Sequence, residues 1–386
     1  MHIGFFTDGY LPQLNGVATS IDLLAQTLER FGQQVSIFAP AMDGYVDKHP
    51  GVHRLSSVKA FKDPPLWLSS PVSTRVWRET RHMDLDIVHS HSPFALHVLA
   101  YQVAQRQHIP LVYTYHTLLS AHVHTVKLFK RTIVPPRLAE KFSVWTCDMC
   151  DRVVAPSEKI KDLLERYGTH CPVTVVHNGI AMDRFQNVEP GFLHARLGLP
   201  AQARILLAVG RLTQEKNVGF LVNVLARVHE YNPDVYLIPV GQGPLRDEFQ
   251  AQAARMGIGK NLVFTGPIPM EEMPRVYADA DIYVSASFSE AHSMAALEAL
   301  ASGVPMVVVR DQSLAMMVVE GQNGFVVDLD EQVFAQRVLD ILEHPEAQQT
   351  MRACSREISN RFSIENQAHE LIGVYSEVIA ARNRKR

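Results

Sequence analysis

An α/β fold is what this sequence predicts, arranged as two Rossmann-like domains facing a central cleft, and three observations predict it. Short apolar runs alternate with amphipathic helical stretches from the first residue onward, the pattern of parallel-sheet domains. A chain of 386 residues exceeds one compact core, so two domains are expected. The alternation lapses once, over residues 179–203, in a polar, Gly- and Pro-bearing stretch without sustained period that reads as an interdomain linker.

The elements follow in order. His2–Thr7, Val35–Ala39, Asp86–His89, Leu111–Tyr115, Arg152–Ala155 and Val173–Val176 are six short apolar runs that make the sheet of a first domain, residues 1–178. A second set, in residues 204–364, comprises Ile205–Val209, Val235–Ile238, Leu262–Phe264, Ile282–Val284, Met306–Val309 and Gly324–Val327. Residues 365–386 form a last amphipathic helix and a basic tail, which either stays with the second domain or packs back on the first. With both sheets facing one cleft, the loops at their carboxyl ends become the candidates for chemistry.

Composition leaves function open. The chain is 47% hydrophobic and 20% charged with a net charge of −3, which excludes neither membrane nor nucleic acid, because clustering matters more than the sum. Met1-His-Ile-Gly-Phe-Phe runs directly into Thr7-Asp8, unlike a cleavable signal, and no apolar run approaches the ~20 residues of a membrane span. A cytoplasmic protein is expected. Its four cysteines, Cys147, Cys150, Cys171 and Cys354, suit reduced thiols rather than a disulfide framework. Cys147-x-x-Cys150 lacks the second ligand pair of a structural zinc site and is read as two buried thiols. His89-x-His91 and His122-x-His124 could each be half a metal site, but neither has a carboxylate or cysteine partner at convincing spacing, so no metal is expected.

The most informative stretch is Ser289-Glu-Ala-His-Ser-Met-Ala-Ala-Leu-Glu-Ala-Leu-Ala301. Ser293 is a good N-cap, Met294 to Ala301 are helix formers, and Gly303 followed by Pro305 is a stop. Glu290 therefore lies on the loop entering the helix and Glu298 in its second turn, just after a strand. Acids there suit sugar hydroxyls better than phosphate. Arg211 and Lys216, on the loop after the first strand of the second domain, suit a diphosphate, one as a fork and one as a point charge; a solvated basic loop is the plainer reading. Gly241-Gln-Gly-Pro244 would bring bare backbone to the same crevice. In the first domain, Asn15-Gly16 either turns the chain or brings backbone to a phosphate at the following helix. His116 closes a strand in Tyr-His-Thr, either as a structural residue or facing the cleft.

In this order, the Asn-Gly loop, Tyr-His-Thr, Asn178-Gly-Ile, Gly210-Arg-x-x-x-Glu-Lys216, Gly-x-Gly-Pro and the Glu290/Glu298 pair resemble the retaining GT-B glycosyltransferases of family 4 over nearly the whole chain. The loop Thr7-Asp-x-Tyr-Leu-Pro-Gln-x-Asn-Gly-Val-Ala-Thr-Ser20 is similar to that of bacterial diacylglycerol glucosyltransferases. The resemblance implies hexosyl transfer from a nucleotide sugar such as UDP-glucose, with no cofactor and no required metal. It implies that Arg211 and Lys216 bind the diphosphate and that Gly16 approaches it. By the same resemblance Glu298 holds the ribose, Glu290 holds the transferred sugar, backbone near Ile268 meets the base, and His116 lines the sugar pocket. Met294 and Ala295 would complete the donor site. Ser293 stands where many members have glycine, which leaves the hexose open.

A lipid acceptor needs a docking surface. Lys127 to Lys141 interleaves Lys127, Lys130, Arg131, Arg137 and Lys141 with apolar residues, Arg54 to Arg81 places Lys59, Lys62, Arg75 and Arg78 around Trp67, and the chain ends Arg382-Asn-Arg-Lys-Arg386. Such segments dock on anionic lipid at about 1 kcal/mol per near-surface charge, or are ordinary solvated faces. The expectation is peripheral association with the inner face of the cell membrane and no nucleic acid partner. Competing readings are the same chemistry on a soluble or polyprenyl-linked acceptor with UDP-galactose or GDP-mannose, a phosphorylase or epimerase on the same scaffold, and a non-catalytic sugar-binding protein.

Overall fold

Apolar residues run almost unbroken along the strands because each sheet is covered on both faces. In the computed structural model, which describes residues 1–13, 16–42, 44–47, 49–62, 65–70, 73–116, 118, 127–128, 131–132 and 135–384, the chain divides into two compact units. Met1–Gly179 and Ile364–Arg386 form the first, and Ile180–Ser363 the second.

The first unit holds strands β1 (His2–Phe6), β2 (Gln34–Pro40), β3 (Val52–Leu55), β6 (Ile87–Ser90), β7 (Leu111–Thr114), β10 (Arg152–Ala155) and β11 (Val173–Val175) in one parallel sheet of order β11-β10-β7-β6-β1-β2-β3. Alternation along β1 sends Ile3 and Phe5 to one face, where they pack on Ile21, Leu24 and Leu28 of helix Gly16–Arg30 and on Leu371 of helix Ile364–Arg384. Phe6 turns to the other face and joins Leu96, Leu99 and Val103 of helix Ala95–Gln107. Outside the sheet, β4 (Ser57–Lys62) and β5 (Pro65–Ser69) form an antiparallel pair, as do the two-residue strands β8 (Lys127–Leu128) and β9 (Arg131–Thr132).

The second unit holds β12 (Arg204–Val209), β13 (Val235–Val240), β14 (Ile282–Ser285), β15 (Met306–Val309) and β16 (Gly324–Val327) in a parallel sheet of order β13-β12-β14-β15-β16. Leu206 and Ala208 face helix Val218–His229, while Ile205 and Leu207 face the cluster that contains Leu297 and Leu300 of helix Met294–Ala301.

Two expectations are corrected and one strand is added. The stretch 179–203 is not a free linker: it carries the turn Met182–Phe185 and helix Phe192–Leu197, with Ile180, Phe185 and Leu193 buried in the second unit. Its few anchors are too widely spaced to show a period, and the Asp279 carboxylate caps it from a distance by accepting from the Gly191 and Leu193 amides. Leu262–Phe264 makes a single isolated bridge to β13, Leu262 to Leu237, rather than a strand, because Pro239 of β13 has no N–H with which to continue the ladder. Val52–Leu55, unassigned from sequence, is the edge strand β3, where two half-buried polar residues, His53 and Arg54, hide the apolar pattern.

Candidate active site

In the second unit the strand order reverses between β12 and β14, and their carboxyl ends open a crevice lined by Gly210, Arg211, Lys216, Ser285 and Glu290. The loop after β12 is held tightly. Gly210 sits at φ 149°, and a Cβ on it would stand 3.4 Å from Lys216 Cε. A Cβ on Gly241 would lie 2.1 Å from the Gly210 carbonyl oxygen, and one on Gly243 2.3 Å from that of Leu212. The Gly-x-Gly motif is therefore spent on letting two loops touch, with Leu212 N donating to Gln242 O at 3.0 Å.

That support sets the charged side chains. Lys216 Nζ donates to Glu290 Oε1, and Arg211 Nη2 donates to Glu215 Oε1 at 3.0 Å. Ser287 Oγ and Phe288 N both reach the Glu215 carbonyl oxygen at 3.4 Å, tying the loop after β14 to the loop after β12. Lys216 and Glu290 are both largely buried, which strengthens the pair relative to a surface one.

Ser293 caps helix Met294–Ala301, its hydroxyl accepting from Ala296 N at 3.4 Å. The residue that replaces a glycine is thus occupied with its own helix. Met294 and Ala295 follow, half-buried, in the first turn. Glu298 faces inward and is buried, and Tyr277 Oη donates to its Oε2 at 2.8 Å. Burial pushes the Glu298 carboxyl up to about 7, against the opposing pull of the Tyr277 hydrogen bond and of Arg184. The Ile268 side chain is buried in the same core cluster, so only its backbone is available to a ligand.

In the first unit the corresponding reversal falls between β1 and β6. Asp8, just past β1, accepts from Ser92 Oγ at 2.7 Å and from Leu96 N at 3.4 Å, and burial raises its carboxyl to about 6. In the sequence Asp8 is a lone acid after a strand, which carries no signal of its partners. His116 follows β7, and its Nε2 lies 3.2 Å from His91 Nδ1. Burial lowers His116 to about 4 and His91 well below the usual imidazole value. Gly16 opens helix Gly16–Arg30, while Asn15 lies outside the described residues.

Of the proposed membrane contacts, Trp67 is half-buried under Lys59, whose Nζ stands 5.8 Å from the ring centroid. Lys127 and Arg131 lie in β8 and β9, with their side chains outside the described residues, as is all of Lys130. The pattern missed Trp145. On helix Pro136–Asp148, Arg137, Leu138, Lys141 and Trp145 are exposed, with Leu138 55% and Trp145 50% accessible. Their spacing puts Leu138, Lys141 and Trp145 on one face. All four cysteines are free thiols, with Cys147 and Cys171 pushed up to about 12 by burial. Among the described residues no group of three or more His, Cys, Asp or Glu is placed to hold a metal ion; His122 and His124 lie outside them.

Two doubly wound units, each with a parallel sheet and a switch point, have the architecture of the GT-B fold. Residues 14–184 match the model for Glycosyltransferase Family 4 and residues 191–358 that for Glycosyl transferases group 1. The chain belongs to glycosyltransferase family 4 and is an enzyme of that class. It is 32% identical to the alpha-monoglucosyldiacylglycerol synthase of Streptococcus pneumoniae, over 80% of this chain and 70% of that one. It is 26% identical to the enzyme of the same name from Acholeplasma laidlawii, over 100% of this chain and 99% of the other. The sucrose-phosphate synthase structure from Thermosynechococcus elongatus superposes with a TM-score of 0.80 at 20% identity, covering 98% of this chain and 99% of that one.

Proposed function

We propose that this enzyme moves glucose, with retention of configuration, from a nucleotide diphosphate sugar to the free hydroxyl of diacylglycerol at a membrane surface. The observation that carries the donor half is the convergence of Arg211, Lys216 and Glu290 at the carboxyl ends of β12 and β14.

Breaking a glycosyl phosphate bond leaves positive charge on the sugar and negative charge on the departing diphosphate, so fixed cations at the phosphates are the largest available help. Arg211 and Lys216 supply them, and the amides of Met294 and Ala295 behind the Ser293 cap add the positive end of a helix. A diphosphate that takes Lys216 releases Glu290 to accept from hydroxyls of the transferred sugar. Glu298 accepts from the ribose hydroxyls, backbone at Ile268 meets the base, Gly16 approaches the phosphates and His116 meets the sugar. With attack on the face that the phosphate leaves, the phosphate itself takes the acceptor's proton, and no carboxylate nucleophile or divalent metal is needed.

The acceptor half draws on the relatives' names and on the helix Pro136–Asp148, where Leu138 and Trp145 stand exposed beside Arg137 and Lys141. An apolar face flanked by cations inserts at an anionic interface without spanning it. Among the described residues no helix is long and apolar enough to cross a membrane. Trp67 and the basic residues Lys127, Lys130 and Arg131 are further candidates for contact with the inner leaflet of the cell membrane.

The test is incubation with anionic liposomes containing diacylglycerol and a panel of UDP- and GDP-sugars, reading nucleotide release and the lipid mass. The expected product is a monoglucosylated diacylglycerol from one donor. Nucleotide release without a lipid product overturns the acceptor and points to a soluble or polyprenyl-linked one.

A further inference from the structure

We propose that His91 is a positioning residue that holds His116 in its Nδ1–H tautomer, so that His116 offers a hydrogen-bond donor, and not a base, to the bound sugar. The last clause rests on the placement of His116 in the sugar pocket; the tautomer itself rests on the first unit alone.

The two ring centroids lie 5.4 Å apart with 26° between their planes, and His91 Nδ1 and His116 Nε2, 3.2 Å apart, are placed to share one proton. Both imidazoles are neutral at pH 7, because burial disfavours their charged forms. A neutral imidazole has one donor nitrogen and one acceptor, so two arrangements exist. If His116 donates from Nε2, the His91 proton sits on its own Nε2, which is buried and has no hydrogen-bond partner among the described residues. If His91 donates from Nδ1, its buried Nε2 is only an unused lone pair. Buried N–H groups without acceptors are rarer in folded proteins than under-used acceptors. The second arrangement therefore holds, and it makes His116 Nε2 the acceptor and leaves the His116 proton on Nδ1.

The surroundings keep His91 in place for this task. Its amide donates to Phe6 O at 2.8 Å, and its ring meets Phe5 edge-on at 4.6 Å. Its other neighbour, His89, lies 4.0 Å away and is itself fixed, with Nδ1 2.6 Å from Tyr375 Oη and Nε2 2.7 Å from Thr114 Oγ1. The carboxyl end of β6 thus presents a pre-set ring to His116. A neutral Nδ1–H donor matches the oxygen of a sugar hydroxyl, and it cannot take the acceptor's proton, which is consistent with the leaving phosphate doing so.

The experiment is long-range proton–nitrogen correlation on the full-length, nitrogen-15-labelled chain at pH 7, with His116 assigned by its loss in His116→Gln. A protonated, pyrrole-type Nδ1 and an unprotonated, pyridine-type Nε2 are expected; the reverse overturns the proposal. His91→Leu then lowers the turnover number by about tenfold, a size typical for residues that orient another side chain, with little change in donor KM. His91→Asn, whose amide N–H falls near the position of Nδ1, restores most of the rate. If the tautomer is as expected but both variants turn over like wild type, the sugar-pocket placement of His116 is what fails.

Discussion

Lys216 and Arg211 are each held by a protein carboxylate, Glu290 and Glu215, so an incoming diphosphate competes with acids for both cations. Glu290→Gln weakens one competitor. By calorimetric titration, free nucleoside diphosphate should bind this variant at least about fivefold more tightly, since ~1 kcal/mol is the upper end for an exposed ion pair and this one is largely buried. Sugar transfer should fall roughly a hundredfold, since a positioned polar contact to the reacting sugar is lost. Weaker diphosphate binding would show that Glu290 supports Lys216 instead of competing for it. Glu298 makes a second prediction. Its carboxyl is raised from 4.5 to about 7, so the folded state holds the proton more tightly than the unfolded one. Stability from this group is complete below about pH 4.5 and is lost as pH rises through about 7, a fall of about 3 kcal/mol at most. Glu298→Gln should match wild type in urea near pH 5 and exceed it near pH 8, while losing donor affinity. Equal curves at both pH values would dismiss the buried charge. The two glutamates were legible as a pair from their spacing beside an N-cap. Their partners were not, because Lys216 and Tyr277 reach them through the order of the strands, which no local pattern encodes.

At the scale of elements, helices were easier to read than what they cover. Helix Ile364–Arg384 shows its amphipathic period in the sequence, but only the structure places it on the face that contains Ile3 and Phe5. A buried hydrogen bond at 2.6 Å between Tyr375 Oη and His89 Nδ1 fastens it there. Tyr375→Phe leaves that nitrogen without its partner and should cost about 1–3 kcal/mol in denaturant, with nucleotide binding by the second unit unchanged. No loss of stability would mean that apolar contacts alone hold the helix. Pro239 gives the opposite lesson: Leu262–Phe264 has a strand's composition, yet one missing N–H on its neighbour breaks the ladder. On helix Pro136–Asp148 the basic residues were noticed and Trp145 was not, because a tryptophan at helical spacing ordinarily belongs to a core. Its 50% exposure says otherwise. Trp145→Ala should reduce partition onto anionic vesicles about tenfold, an apolar loss that added salt does not mimic, as measured by co-sedimentation. Unchanged partition would move the docking surface to another face.

At the scale of the whole molecule, the count of two units follows from the repeated strand and helix signals, whereas the discontinuity of the first unit does not. An amphipathic helix at the end of a chain does not state which sheet it will complete. The structure shows Ile364, Ala368, Leu371, Val374, Tyr375 and Val378 within the core of the unit that begins at Met1, and Gly179 N donating to Gln367 Oε1 at 2.8 Å. Four of these are large aliphatic side chains, each worth roughly 2 kcal/mol when buried, so together they approach the ~5–15 kcal/mol net stability of a typical domain. Cutting the chain after Ser363 therefore removes stabilisation on the scale of the first unit's whole net stability, while the second unit, Ile180–Ser363, keeps both of its core clusters. Limited proteolysis of the truncated chain should digest residues 1–179 rapidly and leave a resistant fragment close to residues 180–363 that still binds nucleotide diphosphate through Arg211 and Lys216. Equal resistance of both halves would mean that the sheet around β1 is stable without the returning helix. Loss of both halves would mean that the two units fold only as one cooperative body.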